Sequence, residues 1–161
     1  MAISDVYTFR SGSVAVASLS ATPVMSVYGT AAKRSWIQGV RVKLGVTTAA
    51  AGNDVLFQLC RPSATNTGTG LASGVASDFS APASISQLAV AWSTAPAVGL
   101  VLAEWVLPQT TGSMWEEFPP SGDEWGIPAI LNANANAGVH LIVTCSVATS
   151  TPIFADFIVS E

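Results

Sequence analysis

Apolar side chains recur at every second position along most of this chain, the spacing of strands that bury one face. From Trp36 onward, Trp36, Val40, Val42, Leu44 and Val46 share one parity, while Arg41 and Lys43 take the other. Val55, Phe57 and Leu59 repeat the pattern with Gln58 opposite, and Val139, Leu141, Val143, Cys145 and Val147 do so again. No window of helical length carries the three-, four- and seven-residue spacing of an amphipathic helix. The alanines at 49–51 are too few to form one and run into Gly52-Asn53-Asp54, a turn signal. The pattern predicts an all-β chain.

Turn residues divide these runs at short intervals. Gly52-Asn53-Asp54 separates two strands, and Thr65 to Gly70 reads as a polar loop. Pro119 to Asp123 and Asn132 to Gly138 bracket a further strand, Trp125 to Leu131, and Pro152 precedes the last, Ile153 to Val159. The count is about eight strands, which fits a two-sheet antiparallel sandwich of jelly-roll type. Residues 1–20, with small and weakly alternating side chains, are expected to form an arm or an edge strand, and residues 21–161 the sandwich. The last strand is apolar on both sides: Ile153, Phe157 and Val159 on one, Phe154 and Ile158 on the other. One side packs the core, so the other is expected against a second copy of the chain or another protein.

Charge sharpens that expectation. Only 16 of 161 residues are charged, about 10%, against roughly a quarter in an ordinary soluble domain. Half the residues are hydrophobic, so the chain has the means to build a core. A surface so poor in charge points to an assembly component. All six basic residues lie within the first 61 positions, and the last hundred hold eight carboxylates with no Lys or Arg. Either terminal strands pair and these charges neutralise each other, or a basic face comprising Arg10, Arg41 and Lys43 docks on an acidic lattice. A net charge of −4 argues against nucleic acid as the partner. No export signal or membrane span is expected: Asp5 interrupts the start, and the apolar run Ala95 to Leu107 contains Pro96 and Glu104. Cys60 and Cys145 read as two buried free thiols, with one disulfide as the alternative.

Candidate chemistry is sparse. The single histidine, His140, faces away from its strand's apolar set and reads as a surface or oligomer-interface residue beside Phe154 and Ile158. One histidine does not make a multi-histidine metal site, and no Gly-x-Ser-x-Gly elbow is present. No cofactor or metal is expected, and an enzyme is the last reading. Glu116-Glu117 and Asp123-Glu124 lie beside Trp115 and Trp125, but adjacent strand residues point to opposite faces, so neither pair is a catalytic dyad. Trp115 and Trp125 are candidates for stacking a sugar ring.

Several segments resemble structural proteins of tailed bacteriophages: Leu59-Cys60-Arg61-Pro62-Ser63-Ala64 with the Thr-Gly-Thr-Gly loop after it, and Ala91-Trp92-Ser93-Thr94-Ala95-Pro96. Trp115-Glu116-Glu117-Phe118-Pro119-Pro120 and Ala137-Gly138-Val139 extend the likeness, which runs over roughly residues 20 to 161. The chain looks like a small jelly-roll virion protein; it departs at the end, where such proteins often close on several acids and this one keeps only Glu161. The resemblance implies a capsid decoration protein in the virion, made in the host cytoplasm. It would bind the major capsid protein as a homo-oligomer, a trimer above all, and stabilise the shell. The other readings are a glycan- or receptor-binding sandwich at a fibre or tail tip, and a major shell subunit.

Overall fold

A computed structural model describes residues 5–17, 19–29, 35–48, 52–78, 80–110, 112–118, 127–129 and 138–161. Strands take up most of them, and none is helical. Eight strands have six or more residues: β1 (Val6–Val16), β2 (Thr22–Tyr28), β3 (Ser35–Leu44), β4 (Asp54–Pro62), β10 (Val98–Pro108), β11 (Gly112–Glu117), β13 (Val139–Cys145) and β14 (Thr151–Ser160). Six shorter ones accompany them: β5 (Thr67–Thr69), β6 (Ala72–Ser73), β7 (Val75–Ala76), β8 (Gln87–Ala89), β9 (Ala91–Thr94) and β12 (Ile127–Ala129).

The long strands form two antiparallel sheets. Sheet 1 runs β11-β3-β14-β1-β7, with β12 also on β3, and sheet 2 runs β10-β4-β13-β2-β8-β6. The chain changes sheet at almost every step between long strands; only β4 to β10 stays within one. That order is the jelly roll expected from the alternation, two Greek keys folded into a sandwich. Parity explains why it closes. The inward residues of the long strands are mostly apolar, and Tyr7, Phe9, Met25, Ile37, Phe57, Leu59, Leu141, Ile153 and Phe157 are fully buried between the sheets.

Bulges change which side chains reach that core, among them those on β3 and β1. On β3, Gly39 pairs with Ile158 and Ile37 with Val159, so Gln38 is one residue too many for β14. An extra residue reverses the alternation, and Ile37 joins Val40, Val42 and Leu44 inside. Trp36, expected on that inner face, instead pairs with Ser160 and is half-buried. Val46, expected there too, lies past the end of β3 and is 87% exposed. On β1 the register shifts between Arg10 and Ser13. Gly12 takes φ 68° there, a left-handed conformation that costs other residues more than glycine. Tyr7 and Phe9 point inward before this bulge and Val16 after it.

Within residues 1–20, β1 is thus paired with β14 from Val6 to Val16 and contributes to the core. Among the described residues, only the two of β7 lie beyond it in the sheet. The excursion from residue 63 to 97, expected merely as a polar loop near its start, contains β5 to β9. Ser63 N–H donates to Ala97 O at 3.2 Å where it leaves and returns. At that base Gly99 lies so close to the other strand that a Cβ would sit 2.5 Å from Arg61 O. The excursion adds β7 to sheet 1 and β6 and β8 to sheet 2, so it extends one edge of each. Glu161 anchors its middle: the carboxylate accepts from Ser84 Oγ, Ile85 N and Ser86 N at 2.7 to 2.8 Å.

Candidate functional site

The two sheets present very different outer faces. On sheet 2, outward parity collects Ser26 and Tyr28 from β2, His140 from β13 and Cys60 from β4. Ser26 and Cys60 both pair directly with His140, one from either side. The excursion closes over this row. Trp92 Nε1–H donates to Ser26 Oγ at 3.0 Å, and Tyr28 O–H donates to Asn66 Oδ1 at 2.6 Å. Ser26, Cys60 and His140 are all completely buried.

His140 is therefore not the surface or oligomer-interface residue expected from its outward parity. It does face away from the core, but a second layer of the same chain covers it. Its Nδ1 lies 2.6 Å from Ser26 Oγ, and Tyr28 meets its ring edge-on at 5.7 Å between centroids. An indole N–H can only donate, so Ser26 Oγ accepts from Trp92 while it also shares a hydrogen bond with Nδ1. Burial pushes the Tyr28 hydroxyl above its ordinary range, though Ser26 and Trp92 partly oppose the shift. Burial also pushes the Cys60 thiol up, against a smaller opposing effect of a backbone hydrogen bond from Gly99. A thiol in this state is a poor nucleophile.

Cys145 points into the core on the other side of sheet 2, within 3.9 Å of Val16 O. Both cysteines are buried, and neither is in a disulfide. Their opposite directions exclude the disulfide alternative.

Among the described residues, no second layer covers the outer face of sheet 1. Four side chains there form one rung across four strands, because Trp115 pairs with Arg41, Arg41 with Asp156, and Asp156 with Arg10. Asp156 Oδ1 is 3.7 Å from Arg10 Nε, and Asp156 Oδ2 is 3.8 Å from Arg41 Nη1. The Arg41 guanidinium carbon lies 4.8 Å from the centre of the Trp115 ring, and Trp115 Nε1–H donates to Glu117 Oε1 at 2.9 Å. The next rung places Lys43 opposite Phe154. A depression of about 370 Å³ lies between the rungs, lined by Arg10, Arg41, Lys43, Phe154 and Asp156.

Residues read separately in the sequence thus meet here: the three docking candidates, the interface candidates Phe154 and Ile158, and Trp115. Phe154 is 41% exposed and Trp115 43%, while Ile158 is half-buried. Asp156 was not singled out by sequence reasoning, although its parity between Phe154 and Ile158 signals its place. It bears on the neutralisation reading of the segregated charges alone. One carboxylate from the acidic part neutralises some of the basic cluster, and the surplus remains exposed.

Trp125, Asp123 and Glu124 lie outside the described residues. Glu116 and Glu117 are exposed at the end of β11. Among the described residues no three His, Cys, Asp or Glu side chains are grouped to hold a metal ion, and no helix is long and apolar enough to cross a membrane. No family model, no curated protein and no solved structure matches this chain.

Proposed function

We propose that this chain is a virion structural protein, a decoration protein that binds the head surface of a tailed-bacteriophage capsid as an oligomer and stabilises the shell. The observation that carries the reading is the contrast between the faces of the sandwich: the outer face of sheet 1 exposes Phe154, Trp115, Arg10, Arg41 and Lys43 together. The low charge of the whole chain supports it, as does the resemblance of its segments to such proteins. The mechanism is mechanical. A rigid sandwich bridging major capsid subunits adds buried area at their junctions, and stable interfaces bury about 1,200–2,000 Å². The trimer is the expected oligomer, the major capsid protein the expected partner, and the capsid surface the expected location.

The test is the copy number in purified virions, by quantitative mass spectrometry against the major capsid protein. Hundreds of copies in fixed ratio are expected; absence from the particle would sink the reading. A few copies would favour a fibre or tail tip with a glycan ligand. The exposed Trp115 favours that second reading, although Arg41 already occupies one face of its ring. Tryptophan fluorescence unmoved by host polysaccharides would remove it.

A further inference from the structure

The rung Trp115–Arg41–Asp156–Arg10 on the outer face of sheet 1 is more organised than a scatter of surface charges. Arg41 is held from one side by the indole of Trp115, which Glu117 holds in turn. A guanidinium stacked on an aromatic ring keeps its edge donors available for a carboxylate and loses less freedom when one binds. Asp156 does not use those donors up. At 3.7 and 3.8 Å from the two arginines it is attracted to both but lies beyond hydrogen-bond distance of either paired nitrogen. Lys43, exposed on the next rung, has no ion-pair partner among the described residues. Three cations thus surround Phe154 with one carboxylate, which pairs with only two of them, on a chain whose net charge is −4.

We propose that this depression is a recognition site for carboxylates of a partner protein, presented by an acidic segment that also carries an apolar side chain. The proposal rests on reading this face as an assembly surface, and it adds the chemistry of what is read. The partner's acids supply close acceptors to Arg41, Arg10 and Lys43, and its apolar side chain covers Phe154. Geometry sets the scale. Alternate residues along a strand lie about 7 Å apart and neighbouring strands about 4.8 Å apart, so the cations span roughly 7 to 12 Å. That spacing engages two carboxylates.

Two other occupants fit less well. The same face of a second copy, related by a two-fold axis, would set Arg10, Arg41 and Lys43 against themselves, and like charges disfavour such contacts. A nucleic acid or sulfated polysaccharide gains affinity by neutralising many phosphates or sulfates, whereas this face offers three cations with an aspartate among them and apolar Phe154 and Ile158 beside them.

The experiment uses the full chain and a synthetic peptide with two glutamates flanking a phenylalanine, followed by NMR at low salt through the Trp115 indole N–H and the arginine Nε–H signals. A peptide with glutamines in place of the glutamates is the control. Binding is expected with a Kd on the order of millimolar. Because hydrogen bonds to charged groups contribute about 1.5–3 kcal/mol, Arg41→Gln should weaken it about tenfold or more. Arg41→Lys should recover part of the loss, and Glu104→Gln, on sheet 2, should change nothing. Equal shifts with the glutamine peptide, or no shifts at Trp115 and Arg41, would overturn the proposal. Tighter, Arg41-dependent binding of dextran sulfate would overturn it in favour of a polyanion. The assembly reading is scored separately. An Arg41→Gln protein that still loads onto particles while wild type ignores the peptide defeats the site alone. Peptide binding by a protein absent from particles defeats the assembly reading alone.

Discussion

The outer faces of the two sheets start from similar material and end in opposite conditions. Each carries polar and aromatic side chains at outward parity: Ser26, Tyr28, Cys60 and His140 on sheet 2, Arg10, Arg41, Asp156 and Phe154 on sheet 1. On sheet 2 the excursion between β4 and β10 folds back as a second layer, and hydrogen bonds from Trp92 and to Asn66 fasten it. On sheet 1 the described residues provide no such layer above Phe154 and the rung beside it. A side chain's parity therefore states which way it points and not whether water reaches it. The covered face contributes stability, and the open one is available for contact.

This difference can be broken by mutation. Trp92→Ala removes a large side chain and the donor to Ser26, and urea unfolding should show a loss of about 2–4 kcal/mol. Phe154→Ala, at an outward position on the open sheet, should stay within about 0.5 kcal/mol of wild type. Equal losses would mean that the faces do not differ. Ser26→Ala comes next: it removes the hydroxyl shared by His140 Nδ1 and the Trp92 indole within a closed layer, a cost of about 1–3 kcal/mol by the same measurement. A neutral result would show that the polar row bears no load.

Thiol chemistry sharpens the covered side. Cys60, with its thiol pushed up by burial, sits under the excursion. Native protein at neutral pH should react with an aromatic disulfide reagent only as fast as local opening permits, and denatured protein should release both thiols at once. Because the raised thiol is still protonated at neutral pH, the native reaction should also lag at pH values where an ordinary cysteine is already partly ionised. Fast native labelling at Cys60 would show that the second layer opens freely. The smallest effect belongs to the open side. Asp156→Asn leaves Arg10 and Arg41 facing each other, yet both are largely solvated, so calorimetry at low salt should show about 0.5 kcal/mol or less, fading as salt is added.

Much of the fold was legible because period-two alternation and turn chemistry are local signals. They give the all-β class, several of the long strands and the outward direction of Phe154 and Ile158, whereas the strand expected over Trp125 to Leu131 is described only as the three residues of β12. The place where the alternation misled is equally physical. The bulge opposite Ile158 and Val159 moves Trp36 out and Ile37 in, and a bulge appears only when one strand is counted against its partner. His140 misled for another reason. Its outward direction was correct, but its cover comes from residues 66 and 92, whose return to that face depends on the β4–β10 excursion. The site shows the same division. Arg10, Arg41 and Lys43 stood out as the chain's rare cations, whereas Asp156 acquired a role only by landing between two arginines.

By itself the sequence determined the class of structure, the inner faces of most strands, the scarcity of charge and the segregation of basic from acidic residues. Each of these follows from composition or from spacing within a few residues. The tertiary structure alone decided the strand order, the burial of Ser26, Cys60 and His140, and the rung that joins Trp115 to Arg10. Those depend on which strands become neighbours and in what register, and such contacts join residues more than a hundred positions apart.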